Sequence, residues 1–271
     1  MTKQQDEYRT PYQSCPVCGL SECSLVGIAD SKMHQLWHPP LPETMKWVRC
    51  NGCEHVFTDS FYTEAGLNEL FRQANASQLA GGDIEKQRLI WTPIVHRVMD
   101  ALPDDVTPFN THLTWLDVGC GNGGLVFTAE EFGFITTGID LREEAVRRVR
   151  EMGYQAEHGD IFGIRADNSL SVISMADVLE HTPYPIATLE RAHKMLDARG
   201  VLFLSCPNRE SSSWREMDRK NMNPYWYEIE HCHNFSRKSL MSMLTKCKFL
   251  PVNYSVSQRY ISCMEIIAVK A

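Results

Sequence analysis

From residue 113 to the end of the chain, short apolar runs alternate with segments whose apolar residues recur every three or four positions. The runs predict strands at 113–118, 135–140, 154–158, 170–176 and 200–206. The intervening pattern predicts a helix ending at Phe132 and helices over 142–152 and 186–196. A helix over 237–247 and strands near 252–257 and 262–269 follow. Such alternation builds a mostly parallel sheet with helices on both faces. Ligands of such sheets bind beyond the carboxyl ends of the strands, at the switch point.

Upstream the pattern is different. Residues 1–10 are polar. Residues 11–58 read as loop-rich, with prolines at 39, 40 and 42. Residues 60–101 predict two helices broken at Gly81-Gly82. The second, over 83–102, has Asp83 as N-cap and places Ile84, Ile90, Ile94, Val98 and Leu102 near one face. Between the last two predicted blocks of the main domain, 207–235 is a long polar and aromatic insertion.

Composition narrows the function classes. The 271 residues suffice for one large α/β domain and a small accessory module. A net charge of −7 disfavours binding along phosphate backbones, so no nucleic-acid partner is expected. The longest apolar runs are strand-length, short of the roughly 20 residues of a membrane span. The first thirty residues lack a basic start and apolar run, so a cytoplasmic location is expected. With ten cysteines and no secretory pattern, reduced thiols or metal ligation are favoured over disulfides.

The strongest motif is 116–124, Leu-Asp-Val-Gly-Cys-Gly-Asn-Gly-Gly, joining a predicted strand directly to a helix. Glycines there permit a tight turn and close approach of a ligand to the main chain. Gly119, Gly121 and Gly124 also satisfy the dinucleotide pattern, leaving two cofactor classes open. Asp140 ends the next strand, where an acid suits ribose hydroxyls in either class, or caps the following helix.

The wider set separates the classes. Asp117 precedes the glycines; His158-Gly159-Asp160-Ile161 follows the third strand. Asp177-Val178-Leu179-Glu180-His181 follows the fourth, and Cys206-Pro207-Asn208 the fifth. Together, over about residues 84–271, these resemble class I S-adenosylmethionine-dependent methyltransferases. The nearest branch holds the ubiquinone-biosynthesis O-methyltransferases and many sugar and natural-product methyltransferases. The resemblance implies a doubly wound, Rossmann-like sheet of seven strands, the last antiparallel, and S-adenosylmethionine as methyl donor. It implies that Gly119 and Gly121 turn around the methionine part and that Asp117 organises its ammonium. It implies Asp140 as ribose ligand with Leu141 near adenine, Asp160 as acceptor for the adenine amino group, and Ile161 as an apolar wall. Ala176 and Asp177 fall at the methionine end. An NAD-dependent oxidoreductase would share the glycine turn but leaves Asp160 and the closing strand pair unexplained. A non-catalytic zinc-ribbon interaction protein would not need the Asp140 and Asp160 pairing.

Cys15-Pro-Val-Cys18 and Cys50-Asn-Gly-Cys53 resemble the two knuckles of a zinc ribbon, since two C-x-x-C turns supply four sulfurs for tetrahedral zinc. The spacing between the pairs exceeds the usual one, which an inserted loop explains. Cys23, His34, His38 and His55 are the substitute ligands. Three parts follow: a zinc-ribbon-like module at 11–58, a helical lid or linker at 60–102, and a methyltransferase catalytic domain at 103–271.

Methyl transfer to oxygen or carbon needs an aligned nucleophile and usually a base. His181, His231 and His233 are the candidates, His231 leading because 230–236 resembles the family's histidine-bearing stretch. Trp214, Tyr225, Trp226 and Tyr227 lie among Arg209, Arg215, Arg219 and Lys220. Aromatic faces beside cations suit a ring bearing an anionic group. The expected acceptor is a small hydroxylated molecule, a sugar or sugar-linked metabolite, anionic or nucleotide-linked. A quinone-pathway phenol is the alternative.

Overall fold

The computed structural model describes residues 5–72, 84–109 and 111–271. In chain order it begins with α1 (Gln5–Tyr8), β1 (Arg9–Pro11), β2 (Cys23–Asp30), β3 (Thr44–Cys50), β4 (Val56–Thr58) and β5 (Ser60–Tyr62). Next come α2 (Glu64–Phe71), α3 (Ile84–Met99), β6 (Thr114–Val118), α4 (Gly124–Glu131), β7 (Ile135–Asp140) and α5 (Glu143–Glu151). Then follow β8 (Ala156–His158), β9 (Leu170–Ala176), α6 (Pro185–Met195), β10 (Leu196–Pro207) and α7 (Ser212–Arg219). The chain closes with β11 (His233–Asn234), α8 (Arg237–Lys246), β12 (Phe249–Val256) and β13 (Cys263–Lys270). Two compact units share it. One holds Met1–Ala74, Glu180–Ile186 and Pro207–Leu240; the other holds Asn75–Leu179, Ala187–Cys206 and Met241–Ala271.

The second unit is a seven-stranded sheet in the order β12-β13-β10-β9-β6-β7-β8. Strands β6 to β10 pair in parallel, and the last strand, β13, runs antiparallel to β12. Val172, Ile173, Met175, Val201, Leu202 and Phe203 are fully buried, as central parallel strands covered on both faces require. Helix α5 shows the opposite pattern. Ala145, Val146 and Val149 are buried, while Glu144 pairs with Arg147 and Arg148 on the outer side. Helix α3 packs Ile94, Val95 and Val98 against Trp115, Leu125 and Phe203, so it belongs to this core. Of the apolar face expected on that helix, Ile94, Val98 and Leu102 are buried, and Ile84 is exposed. The expected break at Gly81-Gly82 and the Asp83 cap lie outside the described residues.

The first unit departs from the loop-rich expectation for 11–58. It contains a four-stranded antiparallel sheet, β11-β4-β3-β2. The burial of β3 alternates, with Met45 and Trp47 inward, a period-two signal that the surrounding prolines and cysteines obscure. The 207–235 insertion, expected within the 103–271 domain, packs here instead. Trp226 and Tyr227 cover Ala29, Met45, Trp47 and Val56, and β11 pairs with β4. Among the described residues no helix is long and apolar enough to cross a membrane.

Candidate cofactor site and a buried histidine cluster

Strand β6 pairs with β7 on one side and β9 on the other, so the order of the sheet reverses there. The glycine turn after β6 and Asp177 after β9 therefore meet at the switch point. Gly119 has φ +69°, and a Cβ there would lie 2.5 Å from Val178 Cγ2. Gly121 (φ +53°) and Gly123 (φ +78°) complete a left-handed run that opens α4. Gly119 is exposed and Gly121 half-exposed, so their backbone is open to a ligand.

Asp140 closes this turn from the side. Gly121 N donates to its Oδ2 at 2.9 Å, and Arg142 N donates to its Oδ1 at 2.8 Å. The Arg142 guanidinium adds a contact at 3.1 Å. The acid is thus both a turn organiser and a buried anion at the end of β7. Leu141 beside it is 51% exposed, an apolar surface facing out from the same strand end. Asp160 is exposed and accepts from Phe162 N and Gly163 N at 2.9 and 3.2 Å, and Ile161 is buried. These residues suit S-adenosylmethionine: a glycine-rich turn for the amino-acid part and two acids at neighbouring strand ends.

Asp117 is buried beneath the turn. Ser174 Oγ donates to it at 2.6 Å and in turn accepts from Trp115 Nε1. Burial pushes its carboxyl up to about 7, against the Ser174 hydrogen bond and with a contribution from the Asp140 charge. The folded chain keeps this proton longer than the unfolded one, so stability from this group falls as pH climbs from about 4 to about 7. A cofactor ammonium would favour the ionised form, so binding below pH 7 would release a proton. Affinity for S-adenosylhomocysteine should therefore rise about twenty-fold between pH 5.5 and 7.5 and then level off. Calorimetry across that range tests this; an Asp117→Asn chain with the same pH profile would remove Asp117 from the role.

Asp177 sits at φ +57°, and its amide donates to Ser205 O and Ser205 Oγ. Its carboxylate meets Arg259 at 2.8 Å. Arg259 also reaches Glu265 and lies 4.5 Å over the Trp91 ring. A Cβ on Gly124 would lie 2.5 Å from Trp91 Nε1, so this cation–aromatic stack stands against the start of α4. Sequence reading missed Arg259, Trp91, Ser174 and Ser205, because no local motif marks side chains that act across distant strands.

In the first unit the four sulfurs of Cys15, Cys18, Cys50 and Cys53 lie within 4.8 Å of one another. Cys15 to Cys53 is 3.6 Å and Cys18 to Cys50 is 3.4 Å. A tetrahedron with Zn–S of about 2.3 Å places sulfurs about 3.8 Å apart, so the cage fits zinc. Burial opposes ionisation of Cys50, yet the amides of Cys53 and Gly52 bring its thiol down to about 7. Of the substitute ligands the three histidines are engaged elsewhere, His34 with Glu228, His38 with Glu69, and His55 with His233, while Cys23 stands opposite Cys50 at the edge of the cage.

The three candidate bases differ sharply. His233 is fully buried, with Nε2 2.9 Å from Thr182 O and Nδ1 3.1 Å from His55 Nε2. A carbonyl only accepts, so Nε2 carries the proton and Nδ1 accepts from His55. Burial pushes His233 down to about 4. Both of its nitrogens are committed to structure. His181 and His231 stack edge to face, with ring centroids 4.7 Å apart, and Glu180 joins them.

The insertion does not expose its aromatic residues as a binding face. Trp214 is buried, Tyr225 stacks on it at 4.9 Å, and Trp226 Nε1 donates to Asp218. Arg209 donates to Glu54 O, Arg215 to Glu210 O, and Arg219 and Lys220 pair with Glu216. The cations expected to favour an anionic or nucleotide-linked acceptor are thus engaged locally, and that expectation loses its support.

A family model described as a methyltransferase domain matches residues 86–249. The ubiquinone biosynthesis O-methyltransferase of Idiomarina loihiensis is 33% identical over 107 residues, 36% of this chain and 44% of that protein. The mitochondrial enzyme of the same description from Candida albicans is 31% identical over 118 residues, 39% of this chain and 36% of that protein. The chain thus spans less than half the length of these curated relatives. Among solved structures, the Burkholderia thailandensis 1,6-didemethyltoxoflavin-N1-methyltransferase, with its substrate and S-adenosylhomocysteine bound, aligns with TM-score 0.57 and 15% identity. That alignment covers 82% of this chain and 98% of the other. Magnesium protoporphyrin IX methyltransferase from Synechocystis, with bound S-adenosylhomocysteine, aligns with TM-score 0.55 and 15% identity over 77% and 95% of the two chains. At such identities the likeness is one of fold.

Proposed function

Because the chain belongs to the methyltransferase-domain family matched over residues 86–249, we propose that it transfers the methyl group of S-adenosylmethionine to a hydroxyl of a small molecule. The observation that carries this reading is the open glycine turn at the switch point, braced by Asp140 through Gly121 N. The cofactor, when bound, supplies a methyl group on a sulfonium. The acceptor oxygen forms the new C–O bond, the sulfur keeps the electron pair of the broken one, and the hydroxyl proton must leave. We assign that deprotonation to the Glu180, His181 and His231 cluster.

For the acceptor we favour a quinone-pathway or other phenolic hydroxyl, the class to which the name of the curated relatives points. Of the grounds for a sugar-linked acceptor, the one drawn from the insertion is weakened, because its rings and cations are occupied in packing. Incubating the full chain with isotopically labelled S-adenosylmethionine and a panel of catechols, phenols and nucleotide sugars tests the assignment. A labelled methyl ether on a phenol is expected. Turnover of nucleotide sugars alone would replace the acceptor class. Absence of both methyl transfer and S-adenosylhomocysteine binding would overturn the enzyme reading.

A further inference from the structure

We propose that Arg9, Thr44, Lys46 and Ser60 form an anion site in the first unit, built for a phosphate group, free or at the end of a small molecule. Together with Asp59 they line one cavity of about 150 Å3. Strand β1 brings Arg9, β3 brings Thr44 and Lys46, and β5 brings Ser60. The inference does not rest on the methyl-transfer reading.

Arg9 is 6% exposed, and its Nε and Nη2 have no hydrogen-bond partner among the described residues. A guanidinium cannot lose its proton in a protein, so it cannot escape the cost of burial by becoming neutral. A buried charge without a counter-charge is strongly destabilising. Its Cζ lies 4.4 Å over the Tyr62 ring, but that contact takes the face of the guanidinium, and the N–H groups lie in its plane. Tyr12, Tyr62 and Cys232 feel the Arg9 charge, yet burial pushes all three up, so each stays neutral and supplies no counter-charge. Nε and Nη2 share one edge of the fork, the edge that grips two oxygens of a carboxylate or phosphate at once. The same edge of Arg219 holds both oxygens of Glu216, at 2.9 and 2.8 Å. In Arg9 that edge is bare.

The rest of the lining selects the anion. Lys46 Nζ lies 3.8 Å from Asp59 Oδ2, and Ser60 Oγ donates to Asp59 Oδ1 at 2.9 Å. Asp59 is thus balanced by its own neighbours, and Arg9 leaves the cavity with a net positive charge. Donors stand on three separate strands. A planar carboxylate offers two oxygens, which the Arg9 edge alone would take. A phosphate has a further oxygen for Lys46 or the hydroxyls. Once bound, it would tie the β1–β5 pair to β3.

The test uses the full chain with its cysteine cage loaded, in phosphate-free buffer at low salt. Calorimetry follows its titration with inorganic phosphate and, separately, with glycerol 3-phosphate. Saturable binding of one equivalent is expected. Tighter binding of glycerol 3-phosphate would assign a phosphorylated small molecule, and equal or weaker binding would assign the free ion; both support the site. Arg9→Lys keeps the charge and loses the fork, so it should weaken binding by about ten-fold or more. Lys46→Glu turns one favourable contact into an unfavourable one and should weaken it by roughly three- to thirty-fold. Zinc content reports whether the first unit is folded in each variant; if Arg9→Lys has lost its zinc, Lys46→Glu decides alone. Absence of saturable phosphate binding in the wild-type chain, or wild-type affinity in the folded variants, would overturn the site. Acetate binding as tightly as phosphate would overturn the choice of anion.

Discussion

Cys15→Ser and Cys53→Ser should each cost the chain one equivalent of zinc and loosen the first unit. The four sulfurs already stand close to tetrahedral spacing, with pairs at 3.4 and 3.6 Å. Cys15 and Cys50 are buried against Phe57, so the cage is continuous with an apolar cluster that includes Tyr12 and Val48. Cys50 ends β3, and Cys23 stands opposite it at the start of β2. Metal loss would therefore release the ends of two strands at once. Structural zinc contributes apparent binding free energies of about 10–16 kcal/mol in small zinc-finger peptides. The loss here should be smaller, because the clusters around Trp47 and Leu70 remain. Metal analysis of protein purified without chelator, together with limited proteolysis across 11–58, checks both parts. Full zinc content in the Cys15→Ser chain would sink the four-cysteine assignment.

Asp140→Ala should weaken S-adenosylhomocysteine binding by about ten- to a hundred-fold, the cost of losing a charge-assisted buried hydrogen bond of about 1.5–3 kcal/mol. Two causes act together. The ribose would lose its acceptor, and Gly121 N would lose the bond that holds the turn. Asp140→Asn separates them, since an amide oxygen can still accept from one backbone N–H while the charge is gone. Its affinity should fall between wild type and Asp140→Ala. Calorimetry on folded proteins decides the matter, and unchanged affinity in Asp140→Ala would take Asp140 out of the cofactor site.

Much of the second unit was legible because its signals are local. The strand expected at 170–176 has those bounds in the structure, and so does the one at 135–140, because β-branched runs between turn residues suit only an extended, buried segment. The glycine turn was legible for the same reason: three of its glycines adopt positive φ, which side chains oppose. The four cysteines were readable as a set because each C-x-x-C knuckle is a short-range object.

Other features depend on which distant segments the topology brings together. Nothing near Asp177 announces Arg259, 82 positions away, yet their ion pair shapes the end of β9. Trp226 looked like a ligand platform from its neighbours, but it packs near Trp47, whose Nε1 donates to its carbonyl. Equal histidines in one short segment took different fates: His233 joined the β11-β4 pairing and lost both nitrogens to the interior, while His231 met Glu180 and His181. Local sequence determined the strands, helices, glycine turn and cysteine knuckles, because backbone preference and apolar periodicity act within a few residues. Only the tertiary structure decided the partners of the buried charges and imidazoles, because desolvated polar groups are satisfied by whatever the fold places beside them.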